Sequence, residues 1–469
     1  MNGNEFREWS RRAADWGADY RENLRDRPVR AQTRPGEIAA RIESSPPEEA
    51  EPMERIFADF EEKILPGMTH WQHPRFFAYF PANAAPISVV AEYLVTAMAA
   101  QCMLWQTSPA ATELETVMVD WLRQALGLPD GFSGVIQDSA SSATLAAVLT
   151  MRERALAWQG NAQGLAGLKP VRIYASNQVH TSVDRAIWVA GVGEANLVRI
   201  PTGGRWNGME VAALEAAIVA DKEAGVLPAG IVACVGGTSI GGTDDLAAVA
   251  EVARRHGLYL HVDAAWAGSA MICPEFRHFW RGIEGADSIV FNPHKWLGAQ
   301  FDCSVQFIRD PDSLVKTLAI QPEYLKTHGK DGIVNYSEWS VPLGRRFRAL
   351  KLWFLLRAHG LEGLRAMIRN HVRWSEKLAK RIGETKGFEI VSEPMLSLFS
   401  FRHMPPAGAD SDSHNQQLVN KINDDGRIYL TQTRVDGRLV IRFQAGQFEA
   451  TEADIDEAYD TIIRVASSL

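Results

Sequence analysis

The chain has 469 residues, 46% hydrophobic and 23% charged, an ordinary globular composition with enough apolar material for two or three domains. Lys and Arg number 49 against 57 Asp and Glu, and a net charge of −8 gives no general attraction for nucleic acid or anionic lipid. Cys102, Cys234, Cys273 and Cys303 lie far apart. With no C-x-x-C pair and no H-E-x-x-H, neither a structural nor a catalytic zinc is indicated, and sparse cysteines fit a reducing cytosol.

The N-terminus is charged throughout and does not read as a signal peptide. Phe6, Trp9, Ala13, Trp16, Tyr20 and Leu24 recur at steps of three and four, which predicts one apolar helix stripe. Pro28, Pro35, Pro46 and Pro47 then break the chain into short pieces. Such an arm cannot build its own core, so its stripe is expected to be buried elsewhere, on a second subunit in preference to its own chain. Residues 88–105 form the longest apolar stretch, interrupted by Glu92 and Gln101, and read as a buried helix rather than a membrane span.

From about residue 133 to 309, short β-rich runs (171–174, 231–235, 259–262 and 288–291) alternate with helical stretches. The clearest helix is 246–256, with Leu246, Val249, Val252 and Ala253 on one face and Gly257 as its stop. This alternation predicts a mostly parallel sheet covered by helices, whose ligands sit beyond the carboxyl ends of the strands. After about residue 360, helical segments at 361–382 and 414–424 with strand-like runs at 396–402 and 439–443 predict a smaller α+β domain.

Four stretches at strand ends or helix starts carry chemistry. In Phe291-Asn292-Pro293-His294-Lys295-Trp296 a lysine follows an apolar strand. Desolvation there leaves a neutral amine able to form an imine. In His261-Val262-Asp263-Ala264-Ala265 the aspartate precedes Lys295 by 32 residues, one strand-to-strand connection. Both can face one crevice, where a carboxylate paired with a pyridinium nitrogen keeps it protonated. Asp138-Ser139-Ala140-Ser141-Ser142 opens the apolar helix 145–155, and free N–H groups with small hydroxyls suit a phosphate. His180, in Ser176-Asn177-Gln178-Val179-His180, follows the run 171–174 and can stack on a ring or handle a proton. Each stretch alone has an ordinary structural explanation: a surface lysine, a cap or metal-ligand aspartate, a serine N-cap, a structural histidine. Their order and placement together argue for one site.

The motifs HVDAAWAGSAMICPEFRH (261–278), NPHKWL (292–297), SNQVHTSVDRA (176–186), TSPAATELE (107–115) and PLGRRFRALKLW (342–353) stand in this order. With them the chain resembles the group II pyridoxal-phosphate (PLP) amino-acid decarboxylases, especially the aromatic-L-amino-acid branch, over nearly its whole length. The resemblance implies an α/β protein of fold-type I, like aspartate aminotransferase. It would have an N-terminal helical arm (1–85), a large mostly parallel-sheet PLP domain (86–360) and a small C-terminal α+β domain (361–469). It also implies a homodimer with its active site at the subunit interface, and the sparse cysteines place the expected location in the cytoplasm.

By position, Lys295 resembles the imine lysine, Asp263 the partner of the pyridine nitrogen, and His180 the residue stacked on the ring. Ala265 falls against the ring's other face, and Thr238 near the ring oxygen. Ser139, Ala140, Ser141, Asn292 and His294 match the phosphate side. Tyr324 matches a mobile-loop tyrosine that delivers the proton to Cα, and the polar stretch 327–332 with two glycines suits a closing lid.

Trp71, Tyr79, Phe80, Pro81, Met103 and Gly344 match an aromatic substrate pocket, Met103 coming from the other subunit. Such walls suit a flat apolar side chain. The implied substrates are tryptophan, 5-hydroxytryptophan, dopa, tyrosine or phenylalanine, with Gly344 leaning toward indoles. Trp266, Ala82 and Asp138 depart from the common family residues, and a carboxylate at 138 is expected to face away from the phosphate. Arg442 suggests lid closure or, more simply, a structural ion pair. Two alternatives on the same scaffold are an aromatic aldehyde synthase, which tends to carry phenylalanine or asparagine at position 324, and a catalytically silent PLP-fold protein.

Overall fold

An apolar stripe on a helix calls for cover, and the first helix, α1 (Gly3–Glu22), covers part of its stripe within its own unit. Asn2 caps it, accepting the Asn4 and Glu5 N–H groups while Glu5 reaches back to the cap. Trp9 packs on Phe57 at 5.5 Å, Trp16 on Phe60 at 5.0 Å, and the Tyr20 hydroxyl meets His70 Nδ1 at 2.7 Å. Phe6 stays 56% exposed, so the stripe is only partly covered. This computed structural model describes residues 1–320, 333–405 and 408–469. It divides into two compact units, one made of residues 1–81 and 373–469, the other of residues 82–372.

The second unit is built on a seven-stranded sheet. In chain order its strands are β1 (Ser133–Gln137), β2 (Val171–Ser176), β3 (Leu197–Ile200), β4 (Leu227–Cys234), β5 (Tyr259–Asp263), β6 (Ser288–Phe291) and β7 (Ser304–Ile308). Across the sheet they run β1-β7-β6-β5-β4-β2-β3. Neighbours from β6 to β3 pair in parallel, and β7 lies antiparallel to both β6 and β1. The central strands β5 and β6 are buried at every residue, as a sheet covered on both faces requires. The sheet is the mostly parallel one expected, with a single reversed strand.

Helix 246–256 has the bounds expected: Asp245 accepts the Ala248 N–H as its cap, and Gly257 ends it at φ 68°. The reading of residues 88–105 as one buried helix needs correction. The helix spans only Pro86–Met98, ends at Ala99 in the left-handed region, and exposes Val89, Val90, Tyr93, Leu94 and Met98. Apolar composition without a polar face does not reveal which side is covered. Among the described residues no helix is long and apolar enough to cross a membrane, and no group of three or more His, Cys, Asp or Glu side chains is placed to hold a metal ion.

The first unit carries a four-stranded antiparallel sheet from Phe388–Met395, Leu398–His403, Arg438–Gln444 and Thr431–Val435, in that spatial order. Helices Ser411–Asp425 and Glu452–Ala466 complete it. Its core gathers Phe77, Phe399, Phe401, Leu418, Ile441 and Phe443, with Phe77 stacked on Phe443 at 4.5 Å. The long helix Ala349–Glu384 is broken at Gly360 (φ 61°, ψ 169°), a conformation that any side chain would strain.

Candidate active site

The carboxyl ends of β5 and β6 are tied together. The Asn292 N–H donates to Ala265 O at 2.8 Å and the Ala264 N–H to Val290 O at 2.9 Å. Beyond β6 the chain makes one wide π-type turn, Pro293–Leu297, closed by Gly298 at φ 103°. Asn83 pins it, its N–H donating to His294 O and its side-chain amide to Lys295 O at 2.8 and 2.6 Å. Asp263 ends β5 and is itself oriented, with Oδ1 accepting the Ala265 N–H at 3.0 Å.

Lys295 keeps some surface, yet desolvation of its ammonium lowers its pKa, partly opposed by the charge of Asp263. His180 is also lowered, mainly by burial of its ring, with Asp263 acting to raise it and Lys295 to lower it. The charges of Asp263 and Lys295 both act on His180, so the three groups lie in one electrostatic field. His180 Nδ1 accepts the Ser182 N–H at 3.1 Å, so the neutral ring carries its proton on Nε2. The arrangement offers a primary amine whose charged form is disfavoured by burial, an oriented carboxylate and an oriented imidazole.

At the helix Ala140–Ala155, Ser139 is the N-cap and accepts the Ser142 N–H at 3.2 Å. The opening N–H groups of a helix lack intrahelical partners and suit an anion. His294 is almost fully buried with Nδ1 accepting the Cys303 N–H at 2.8 Å, and burial holds its pKa down to about 3. Asn292 is 3% exposed, and its Oδ1 has no hydrogen-bond partner among the described residues. A buried amide oxygen without a donor, beside a desolvated lysine, fits a polar ligand in the crevice. These groups match the aldehyde, ring nitrogen and phosphate of PLP in chemical type. Thr238 and Ala265 lie half-buried after β4 and β5.

Buried neutral histidines have a consequence for stability. His73 is held at about 3, His294 at about 3 and His261 at about 4, burial being the largest cause each time. An unfolded imidazole titrates near 6.5, so below that value the unfolded chain binds more protons than the folded one. Stability is complete above about pH 6.5 and falls as the pH drops toward about 4. Urea midpoints should decline steadily from pH 7 to pH 5; a flat series would contradict these shifts.

Of the aromatic residues singled out, Trp71, Tyr79, Phe80 and Pro81 lie in the first unit. Trp71 packs on Phe76 at 4.5 Å and on Tyr79 at 5.9 Å, and both Trp71 and Tyr79 stay exposed. Buried Arg442 donates to Tyr79 O and to Thr431 Oγ1 and sits 5.5 Å from the Phe80 ring centre. Met103 and Gly344 lie in the second unit on adjoining segments: the Cys102 N–H donates to Arg345 O at 3.0 Å, and the Arg345 N–H to Gln101 Oε1 at 2.8 Å. Tyr324 and the stretch 327–332 fall outside the described residues.

Two features escaped the sequence reading. Trp266 and Trp296 stack at 5.0 Å, flanking Ala265 and Lys295, and Trp296 Nε1 donates to His371 Nδ1 at 2.9 Å. Glu115 and Arg345 form an ion pair with both side chains almost fully buried. Both partners stand in quoted motifs, and nothing in the spacing marks them as a pair.

The model of the pyridoxal-dependent decarboxylase conserved domain matches residues 35–404. Aromatic-L-amino-acid decarboxylase of Sus scrofa is 40% identical over 484 aligned residues, covering 100% of this chain and 98% of that protein. Phenylacetaldehyde synthase of Arabidopsis thaliana is 36% identical over 480, covering 100% and 97%. Among solved structures, Oryza sativa TDC with PLP and tryptamine superposes with a TM-score of 0.96 at 36% identity, covering 100% of this chain and 99% of that one. With a fold of type I and a crevice whose groups suit its cofactor, the chain belongs to the pyridoxal-dependent decarboxylase family, a PLP-using carboxy-lyase.

Proposed function

We propose that this enzyme removes CO2 from aromatic L-amino acids (tryptophan, 5-hydroxytryptophan, dopa, tyrosine or phenylalanine) and releases the arylalkylamine. The observation that carries this reading is the shared field of Lys295 and Asp263, at the ends of adjacent parallel strands β6 and β5, with His180, which lies beyond the end of β2. Lys295 would hold the cofactor covalently, Asp263 its ring nitrogen, and His180 and Ala265 the two ring faces, with Thr238 near the ring oxygen. Ser139, Ala140, Ser141, Asn292 and His294 would take the phosphate. When bound, PLP supplies an electron sink for the pair left at Cα as CO2 departs.

The chain's own contribution is placement and charge. Asp263 is held by the Ala265 N–H and keeps a negative charge fixed in a desolvated crevice, where it acts more strongly than in water. The Nε2 proton of His180 is left available by the Ser182 bond. Trp71, Tyr79, Phe80, Pro81, Met103 and Gly344 would provide apolar surfaces suited to an aryl side chain rather than to a carboxylate. Tyr324 would return the proton to Cα.

We also infer a homodimer in the cytosol. The exposed apolar face of helix Pro86–Met98 calls for cover, and all four cysteines are buried free thiols. Sedimentation equilibrium at the monomer mass would remove the dimer.

The deciding experiment is a product screen across the five amino acids with PLP added, joined to borohydride trapping and peptide mapping. Amine, CO2 and a pyridoxyl label on Lys295 are expected; a label elsewhere would overturn the assignment.

A second reading, aldehyde synthesis with release of ammonia and hydrogen peroxide, is favoured by the likeness to phenylacetaldehyde synthase. Tyrosine at position 324 weighs against it. Tyr324→Phe is expected to convert much of the output from amine to aldehyde and ammonia under oxygen. A variant that still makes only amine would strip Tyr324 of its role.

A further inference from the structure

The five groups offered to the phosphate include no cation. Ser139, Ala140, Ser141 and Asn292 are neutral, and buried His294 stays uncharged at neutral pH. Two carboxylates nevertheless stand at the edge of this cradle. Strand β1 ends with Gln137 opposite Ser304, the first residue of antiparallel β7, so Asp138 follows this end of the ladder on one strand while Asp302 and Cys303 precede it on the other. Asp138 directly precedes the N-cap Ser139, whose hydroxyl reaches its Oδ1 at 3.4 Å. Cys303 is joined to His294 by two bonds, its N–H donating to His294 Nδ1 at 2.8 Å and its carbonyl accepting the His294 N–H at 3.2 Å. A dianion here meets these carboxylates along with the charges of Lys295 and Lys351, which also act on His294.

Arg348 answers that problem. It is 9% exposed, its Nε donates to Asp302 Oδ1 at 2.9 Å, and its Nη2 lies 3.4 Å from Asp302 Oδ2. Burial opposes its charge, but the bond to Asp302 and the charge of that carboxylate, with smaller contributions that include Asp138, together outweigh that effect and raise its pKa. We propose that Arg348 is a positioning residue acting as a charge shield, screening Asp302 and Asp138 together so that the phosphate of the cofactor can occupy the N-terminus of helix Ala140–Ala155. This rests on the phosphate placement proposed above. It also accounts for a carboxylate at position 138: Asp138 is tolerated because its field is directed to Arg348.

The shield acts on the phosphate and not on the rest of the cofactor, which makes it separable from a general role in folding. The holoenzyme is stripped of cofactor and retitrated with PLP and with pyridoxal, which lacks the phosphate, reading the absorbance of the lysine adduct. Arg348→Gln should weaken PLP by about tenfold or more, the order expected when a charge within several ångströms is lost from a partly desolvated site. It should leave pyridoxal affinity within about threefold, since no charge interaction with the ring is removed. Adding Asp138→Asn to Arg348→Gln should restore much of the PLP affinity. Asp138→Asn alone, which spares the buried Asp302–Arg348 pair, should tighten PLP modestly, and more so at low salt.

Equal losses for PLP and pyridoxal in Arg348→Gln, or weaker PLP binding in Asp138→Asn, would overturn the shield while leaving the cradle intact. If Arg348→Gln does not fold, the single Asp138→Asn series decides. A parent enzyme that binds pyridoxal as tightly as PLP would instead overturn the cradle itself.

Discussion

Replacing Asp263 with alanine is expected to lower kcat by about three orders of magnitude, the scale on which loss of a preorganised charge acts in an active site. Asp263 is 8% exposed, and the Ala265 N–H donated to its carboxylate fixes its orientation rather than neutralising it. Its charge reaches both Lys295 and His180. Asp263→Asn separates the two contributions, because the amide oxygen still accepts the Ala265 N–H while the charge is gone. On an electrostatic role, asparagine falls nearly as far as alanine, and glutamate recovers part of the rate. The same substitution removes the group that opposes desolvation at Lys295, so the amine should titrate lower still; the pH dependence of its modification in cofactor-free enzyme reads this directly. An Asp263→Asn enzyme that retained most of its rate, with the Lys295 profile unmoved, would reduce Asp263 to a turn former.

The strand-end placement of Lys295 and Asp263 was legible in the sequence because both follow short apolar runs, which became β6 and β5 of a mostly parallel sheet. Helix Leu246–His256 was legible to the residue because its Asp245 cap and Gly257 stop are local chemistry. Pairing, a non-local event, moved strand ends: the run 171–174 gained two residues to become Val171–Ser176, and 231–235 gained four at its start and lost Val235 to become Leu227–Cys234, while 288–291 kept its bounds. The face exposed by helix Pro86–Met98 was not legible, since that stretch is apolar on all sides and burial depends on what packs against it. Nor was the shield at Arg348 or the pair Glu115–Arg345, whose partners meet only after the sheet has formed.

That buried pair supports the second large expectation. Arg345→Met should destabilise the protein by about 3–5 kcal/mol, the range for removing one partner of a buried ion pair and leaving the other charge unanswered. Glu115 accepts both the Ile136 N–H at 2.8 Å and the Arg345 guanidinium. Arg345 in turn donates to Ile136 O at 3.1 Å, Ser340 Oγ at 3.3 Å and Tyr336 O at 3.4 Å. One side chain thus joins the helix Pro109–Leu126, strand β1 and the segment that carries Gly344. The methionine fills the volume but answers none of these acceptors.

In Glu115→Gln/Arg345→Met the charge left behind is also removed, while the glutamine oxygen still receives the Ile136 N–H; more than half of the lost stability should return. Denaturant midpoints of the two singles and the double form the cycle. Recovery would identify the cost as an unpaired charge. A double variant as unstable as the sum of the singles would mean that the loss lies in the three carbonyl and hydroxyl acceptors, and that the ion pair itself is incidental to the fold.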